Sequence, residues 1–224
     1  MLSVWCGEVA YVEALRWQHQ LADARNDGAI GDVLLLLTHE PVYSAGRNAD
    51  LERNLLDDRR VPLVRSDRGG DVTYHGPGQL VAYPVRRLPD SKAVRPHVDA
   101  LVEAAVRTAR SYGLAASADP RRPGAWVAGN KIAAVGVRIR GRVTTHGLAF
   151  NVDPDLTEFT AGIVPCGIRD GGVTSLASLG VDAPMHEVRH RLTAYLGDTL
   201  GTALQPAAPA DLGLHAVGGA VAAG

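Results

Sequence analysis

The chain has 224 residues, 46% of them hydrophobic and 21% charged, with a formal net charge of −1. That is the size and make-up of one globular domain, and the near-neutral balance argues against a general nucleic-acid or membrane-surface role. The opening residues carry Glu8 and Glu13 and do not form a signal peptide; the longest aliphatic run, Val33 to Leu37, is too short to span a bilayer; and Cys6 and Cys166 form no C-x-x-C pair, so a cytoplasmic protein without a disulfide framework is expected.

In chain order, residues 8–25 read as a helix, with Tyr11, Ala14, Leu15, Gln18, Leu21 and Ala22 on one face at helical spacing. "DVLLLLTH" (32–39) is a buried strand, ended by Pro41 and a turn at "SAGR", and "VPLVRSD" (61–67) is a second strand. The stretch from Arg68 to Val85, "RGGDVTYHGPGQLVAYPV", holds six glycines or prolines and ends as a third strand, "LVAYPV" (80–85). A simple turn needs two or three such residues, so this stretch reads as the wall of a pocket that something approaches closely. Val94, Val98, Leu101, Val102, Ala105, Val106 and Ala109 mark a helix over 94–112, stopped by Gly113. Residues 125–152 are β structure folded back at "RGR" (140–142), 153–172 an irregular loop, and 184–200 a helix with Pro184 in its first turn. Interleaved strands and helices with hairpin-like connections indicate an α+β fold: one domain over 1–205 and a loose Ala/Gly/Pro-rich tail over 206–224.

Of the 23 basic residues only Lys92 and Lys131 are lysine. Strict alternation along the strand after Gly129 puts Lys131 on a face with Ala133, Val135, Val137 and Ile139, and Ile132, Ala134, Gly136, Arg138 and Arg140 on the other. An amine at the end of an apolar row either snorkels to solvent or is a partly desolvated group beside a cavity. Cys166, in "IVPCGI", sits on a loop between proline and glycine, where nucleophiles occur more often than packing cysteines, whereas Cys6 in an apolar run reads as filler. His75 and His146 each precede glycine; one alone would read as a structural histidine, but two such steps on neighbouring β segments suggest polar groups bordering a site. "HEVRH" (186–190) matches a zinc-protease pattern, but the apolar face of its helix runs through Val188, Leu192 and Leu196, which turns both histidines to solvent.

"HEPVYSAGR", "RGGDVTYHGPGQLVAYPV", "RPGAWVAGNKIAAVGVRI", "THGLAFNV" and "VPCGI" together resemble the lipoyl(octanoyl) transferase family, in order and spacing and over nearly the whole chain to about residue 200. Phe150 and His97 depart from the family's usual residues and could alter pocket shape. The resemblance implies a fold like the catalytic domain of biotin and lipoate ligases, with mixed sheets backed by helices. It implies octanoyl transfer from acyl carrier protein, through a thioester on Cys166 activated by Lys131, to a lysine amine on lipoyl domains of 2-oxoacid dehydrogenase E2 subunits and glycine cleavage H protein. It maps substrate binding to Arg68, Gly69, Gly70, Asp71, Val72, Thr73, Tyr74 and His75, to Ala134, Val135 and Gly136, and to Gly147, Leu148 and Ala149, with His146, Gly76 and Gly78 as further pocket candidates. No cofactor or metal, no nucleic acid, no membrane and a monomer are expected. Arg138, Arg140 and Arg142 at a hairpin tip, with Arg121 and Arg122, are candidates to meet an acidic carrier. The alternatives are an ATP-dependent lipoate ligase on the same fold and a noncatalytic acyl-carrier-binding module.

Overall fold

The computed structural model describes residues 1–56, 61–163 and 172–215. The elements run β1 (Leu2–Glu8), α1 (Tyr11–Asn26), β2 (Val33–Thr38), β3 (Val42–Ala45), α2 (Leu51–Asn54), β4 (Leu63–Arg65), β5 (Val72–His75) and β6 (Gln79–Val85). Then follow α3 (Val94–Arg110), β7 (Ala116–Ala118), β8 (Gly124–Val127), β9 (Asn130–Arg140), β10 (Val143–Asn151), α4 (Glu158–Ala161), α5 (Met185–Leu200) and β11 (Gln205–Ala207). An eight-stranded mixed sheet has the order β11-β1-β2-β6-β10-β9-β8-β7, and a three-stranded sheet the order β4-β3-β5.

Alternation in β2 and β6 divides the interior. Leu34, Leu36, Leu80 and Ala82 point into the core under α3 and α5, with Leu101, Ala105, Leu192 and Leu196. Val33, Leu35, Leu37, Val81, Tyr83 and Val85 point to the other face, where Ala14, Trp17 and Leu21 of α1 cover them. Both faces of these central strands are thus apolar, which is why they read as unbroken hydrophobic runs. Cutting one of these leucines to alanine costs about 2–5 kcal/mol, because the cavity adds to the lost transfer energy. α5 ends on Gly201 in the left-handed region (φ 63°), and Pro184 stands just before the helix rather than within its first turn.

Several strands, β7 and β11 among them, are not in the sequence reading. β1 occupies residues given partly to the first helix, and it pairs in parallel with β2 (Leu2 with Val33, Val4 with Leu35). β3 takes the place of the expected turn at "SAGR", and β5 forms within the glycine-rich stretch; they hold each other through Tyr43–Tyr74 and Val42–His75. These four-residue segments have too little pattern of their own, and a partner some thirty residues away makes them strands. The first part of the tail is docked: Gln205–Ala207 adds an edge strand to β1, and Leu214 is buried. Pro206 is tolerated there because an edge strand can spare an N–H.

Candidate active site

The face of the main sheet that α1 covers in part also carries a cavity of about 500 Å³, open solvent included, under the Arg68–Gly70 loop. Thr73 and His75 of β5, Tyr83 of β6, Lys131, Ala134 and Gly136 of β9, and His146, Gly147 and Ala149 of β10 line it. Val135 and Leu148 border it from the strand backbone, their side chains belonging to the core beneath α3. The loop is pinned to the sheet: the Gly69 N–H donates to the Val137 carbonyl at 3.0 Å. Gly136 permits this approach, since a Cβ there would sit 3.1 Å from the Gly69 oxygen. Gly147 allows a similarly close packing, because its Cβ would run into the Ala82 carbonyl oxygen.

Lys131 reaches the cavity through a bulge. In the β8–β9 ladder Ala125 pairs with Ala133 but Trp126 pairs with Lys131, so Ile132 is an extra residue. Ile132 and Ala133 consequently both enter the core under α3, while Lys131 joins Ala134 and Gly136 at the cavity. Strict alternation, which put Lys131 with Ala133, Val135 and Val137, is therefore wrong by one residue at the functional end of the strand. The lysine is 9% exposed, and its Nζ lies 4.9 Å from the Trp126 ring centroid. Its backbone is clamped on both sides: the Lys131 N–H donates to the Gly172 carbonyl at 2.9 Å, and the Thr174 N–H to the Lys131 carbonyl at 3.0 Å.

A buried hydrogen-bond relay runs from the roof of the cavity to this clamp. Arg68 donates through Nε to Ser44 Oγ at 3.1 Å; Ser44 Oγ in turn meets His75 Nε2 at 3.1 Å. His75 Nδ1 donates to Gln79 Oε1 at 2.7 Å, Gln79 Nε2 to Asn151 Oδ1 at 2.9 Å, and Asn151 Nδ2 to the Thr174 carbonyl at 2.9 Å. His39 is held in the same way, Nδ1 donating to the Val9 carbonyl at 2.7 Å and Nε2 accepting from the Tyr83 hydroxyl at 2.9 Å. His146 has a left-handed backbone (φ 57°), unusual for a side-chain-bearing residue. Its N–H donates to Gln18 Oε1 at 2.6 Å and its Nε2 to Asp67 Oδ1 at 2.8 Å. That bond holds the Asp67 carboxyl well below its usual range.

His39 and His75 each have two partners that suit the neutral ring, whereas His146 has Asp67 on Nε2 and no partner on Nδ1 among the described residues. Burial pulls His39 down to about 4 and His75 well below its ordinary value, and it lowers His146 despite the opposing pull of Asp67. Away from the cavity, burial takes His97 down to about 4 as well, and neither of its ring nitrogens has a partner among the described residues. An unfolded histidine takes up its proton near pH 6.5 (about 6.5). Between that value and about 4 the unfolded chain binds more protons than the folded one, so stability falls as the pH drops through this window. His39 and His97 alone are expected to remove about 3 kcal/mol between pH 6.5 and pH 5. Urea unfolding at the two pH values checks this, and equal midpoints would show that these histidines are not held neutral.

Of the residues expected at the site, Arg68, Gly69, Gly70, Thr73, His75, Lys131, Ala134–Gly136 and His146–Ala149 border one cavity. Asp71, Val72 and Tyr74 do not. Val72 and Tyr74 take the other side of β5 and pack with Tyr43, Phe159 and Ile163, as strand alternation requires. The Asp71 carboxylate accepts from its neighbour's N–H, on Val72, at 2.8 Å and from the Asn54 amide. Gly76 and Gly78 are also outside: they turn the chain from β5 into β6, and the Gly78 carbonyl accepts the Val152 and Asp153 N–H groups at 3.1 and 2.9 Å. Phe150 is fully buried under α3 and His97 lies in α3, so neither departure lines the cavity. Cys166 lies outside the described residues. Sequence reasoning missed Tyr83, Ser44, Gln79, Asn151 and Asp67; only the buried polar letters in apolar strands ("YSA", "GQLVAY", "AFN") hinted at the first four.

Cys6 is filler, as expected: burial raises its thiol to about 12. His186 and His190 are exposed, and no metal-holding group of three or more His, Cys, Asp or Glu side chains occurs among the described residues. Arg140 is paired with Asp23 at 2.9 Å, and Arg122 with Asp119 at 2.6 Å and over the Trp126 ring, which leaves fewer unengaged charges in the arginine cluster. No helix among the described residues is long and apolar enough to cross a membrane.

Residues 10–197 match the family model of the lipoyl protein ligase A/B catalytic domain. An octanoyltransferase of Chloroflexus aggregans is 48% identical over 200 residues, covering 85% of this chain and 90% of that protein. The structure is similar to a bipartite lipoate protein ligase of Thermoplasma acidophilum (TM-score 0.74, 19% identity, 92% of this chain and 86% of that one). It is more distantly similar to the biotin protein ligase of Aquifex aeolicus (TM-score 0.54, 13% identity, 90% and 69%). The mixed sheets and helices are thus those of the biotin and lipoate ligases, and the chain belongs to the lipoyl protein ligase A/B catalytic domain family and, within it, to the octanoyltransferases.

Proposed function

We propose that the chain moves an octanoyl group in two half-reactions through a thioester on Cys166. The Cys166 thiolate attacks the acyl carbonyl of octanoyl-acyl carrier protein, and the carrier's thiol leaves with a proton. The ε-amine of a lysine on a lipoyl domain then attacks the acyl-enzyme; an amide forms, the Cys166 sulfur leaves, and the amine's proton is taken up. Thioester exchange is close to thermoneutral and amide formation downhill, so neither ATP nor a metal is required. Lys131 as ammonium stabilises the thiolate, and as free amine it accepts the proton of the incoming lysine.

The observation that carries this reading is the clamp on Lys131. Val173 forms a parallel bridge with it, seven residues after Cys166, and Ile163 bridges Leu55 three residues before. The chain on either side of the segment that carries Cys166 is therefore anchored, its far side at the one lysine that faces an apolar cavity among the described residues. Lipoyl domains of E2 subunits and of the glycine cleavage H protein are the acceptors in this reading, and the site of action is the cytoplasm.

Intact mass of the protein after incubation with octanoyl-acyl carrier protein, without ATP, tests it. One octanoyl group on a peptide containing Cys166 is expected. Acceptor modification that needs ATP and leaves no adduct would instead point to a ligase.

A further inference from the structure

We infer that Tyr83 is the end stop of the acyl slot and sets the length of chain the enzyme takes. The inference rests on the proposed reaction only in placing the reacting carbonyl near Lys131. Cross-strand rows run perpendicular to β6, β10 and β9 on the cavity face. Gln79 pairs with Asn151, and the bulge brings Lys131 to this end, so the first row is polar. Val81, Ala149 and Ala134 form the second row. Gly147 pairs with Gly136 in the third, and the antiparallel register of β6 and β10 places Tyr83 opposite Gly147.

Gly147 sets no side chain against the Tyr83 ring, and beyond it the Gly69 backbone closes over Gly136, where a Cβ would sit 3.1 Å from the Gly69 oxygen. The ring is fixed: it is 4% exposed, its hydroxyl donates to His39 Nε2 at 2.9 Å, and the His146 ring stands edge-on at 6.0 Å between centroids. Behind it, His39 is itself tied to the Val9 carbonyl at 2.7 Å. A ring held this way cannot swing aside without breaking a buried hydrogen bond.

The spacing matches an eight-carbon chain. Rows of one face are two residues apart, so the third lies about 13 Å from the first. With carbon–carbon bonds of about 1.5 Å in a zigzag, an octanoyl chain reaches roughly 9 Å from its carbonyl. The remainder accommodates the thioester and the side chains of the first row. Four further carbons would add roughly 5 Å and meet the Tyr83 ring.

The test presents equal amounts of hexanoyl-, octanoyl-, decanoyl- and dodecanoyl-acyl carrier protein and reads the acyl masses on the enzyme and on a lipoyl-domain acceptor. The wild-type chain is expected to discriminate strongly against dodecanoyl. Tyr83→Leu should raise the dodecanoyl-to-octanoyl ratio about tenfold or more, since each extra methylene against a pocket wall changes selectivity by about that factor. Tyr83→Phe keeps the ring but loses its tie to His39, so it should shift the cutoff less than the leucine variant does. Ala134→Val, which fills the second row, should raise hexanoyl over octanoyl and serves even if Tyr83→Leu does not fold. An unchanged ratio in the leucine or valine variant, or an equal shift in the phenylalanine one, overturns the assignment. An absence of adduct on Cys166 would count against the thioester course alone, because the ratio on the acceptor still reports on Tyr83.

Discussion

Cys166→Ala is expected to abolish octanoyl transfer, by on the order of 10⁴-fold or more, because without the thiol there is no atom to hold the acyl group between donor and acceptor. The fold should be retained, since a small side chain replaces another small one. Cys6→Ala should keep activity: that thiol is packed beneath α1, and burial raises it to about 12, so it has no means of ionising near neutral pH. Acceptor acylation followed by mass, with circular dichroism as the folding control, decides between them. Near-normal turnover in the Cys166 variant would refute a covalent course on that residue.

Lys131→Arg separates charge from proton transfer. An arginine preserves the cation that favours a thiolate, and it can stack on Trp126 as the lysine does. It cannot accept a proton from the incoming amine. Acyl-enzyme formation should therefore persist in part, whereas aminolysis should fall by about 10²-fold or more. Single-turnover measurement of each half-reaction tests this, and normal aminolysis by the arginine variant would reduce Lys131 to an electrostatic role. The fixed backbone sharpens the experiment, because hydrogen bonds to residues 172 and 174 hold position 131 in place whatever side chain it bears.

Long elements with strong period were legible one by one. The run Val33–Leu37, the helix ending before Gly113 and the hairpin turning at 140–142 all lie where the sequence puts them, because their hydrophobic pattern is local. Among site residues, Lys131 stood out by composition and the glycine-rich stretch by its excess of conformational specialists. What misled was always a relation between segments. β3 and β5 exist because they pair with each other, β11 because β1 offers an edge, and neither partner is visible within a short window.

The sequence by itself determined the family, through motifs whose order and spacing are specific, and with it the chemistry to look for. It also marked the run Val33–Leu37 as a buried strand. Only the tertiary structure decided which residues of those motifs meet. One extra residue at Ile132 moves Lys131 from the core side of β9 to the cavity side. Alternation sends Tyr74 away from the cavity while His75 faces it, and Tyr83 enters it from the strand that ends the glycine-rich stretch. A side chain's direction depends on the ladder its strand joins, and hydrogen bonds between residues far apart in the chain set that ladder.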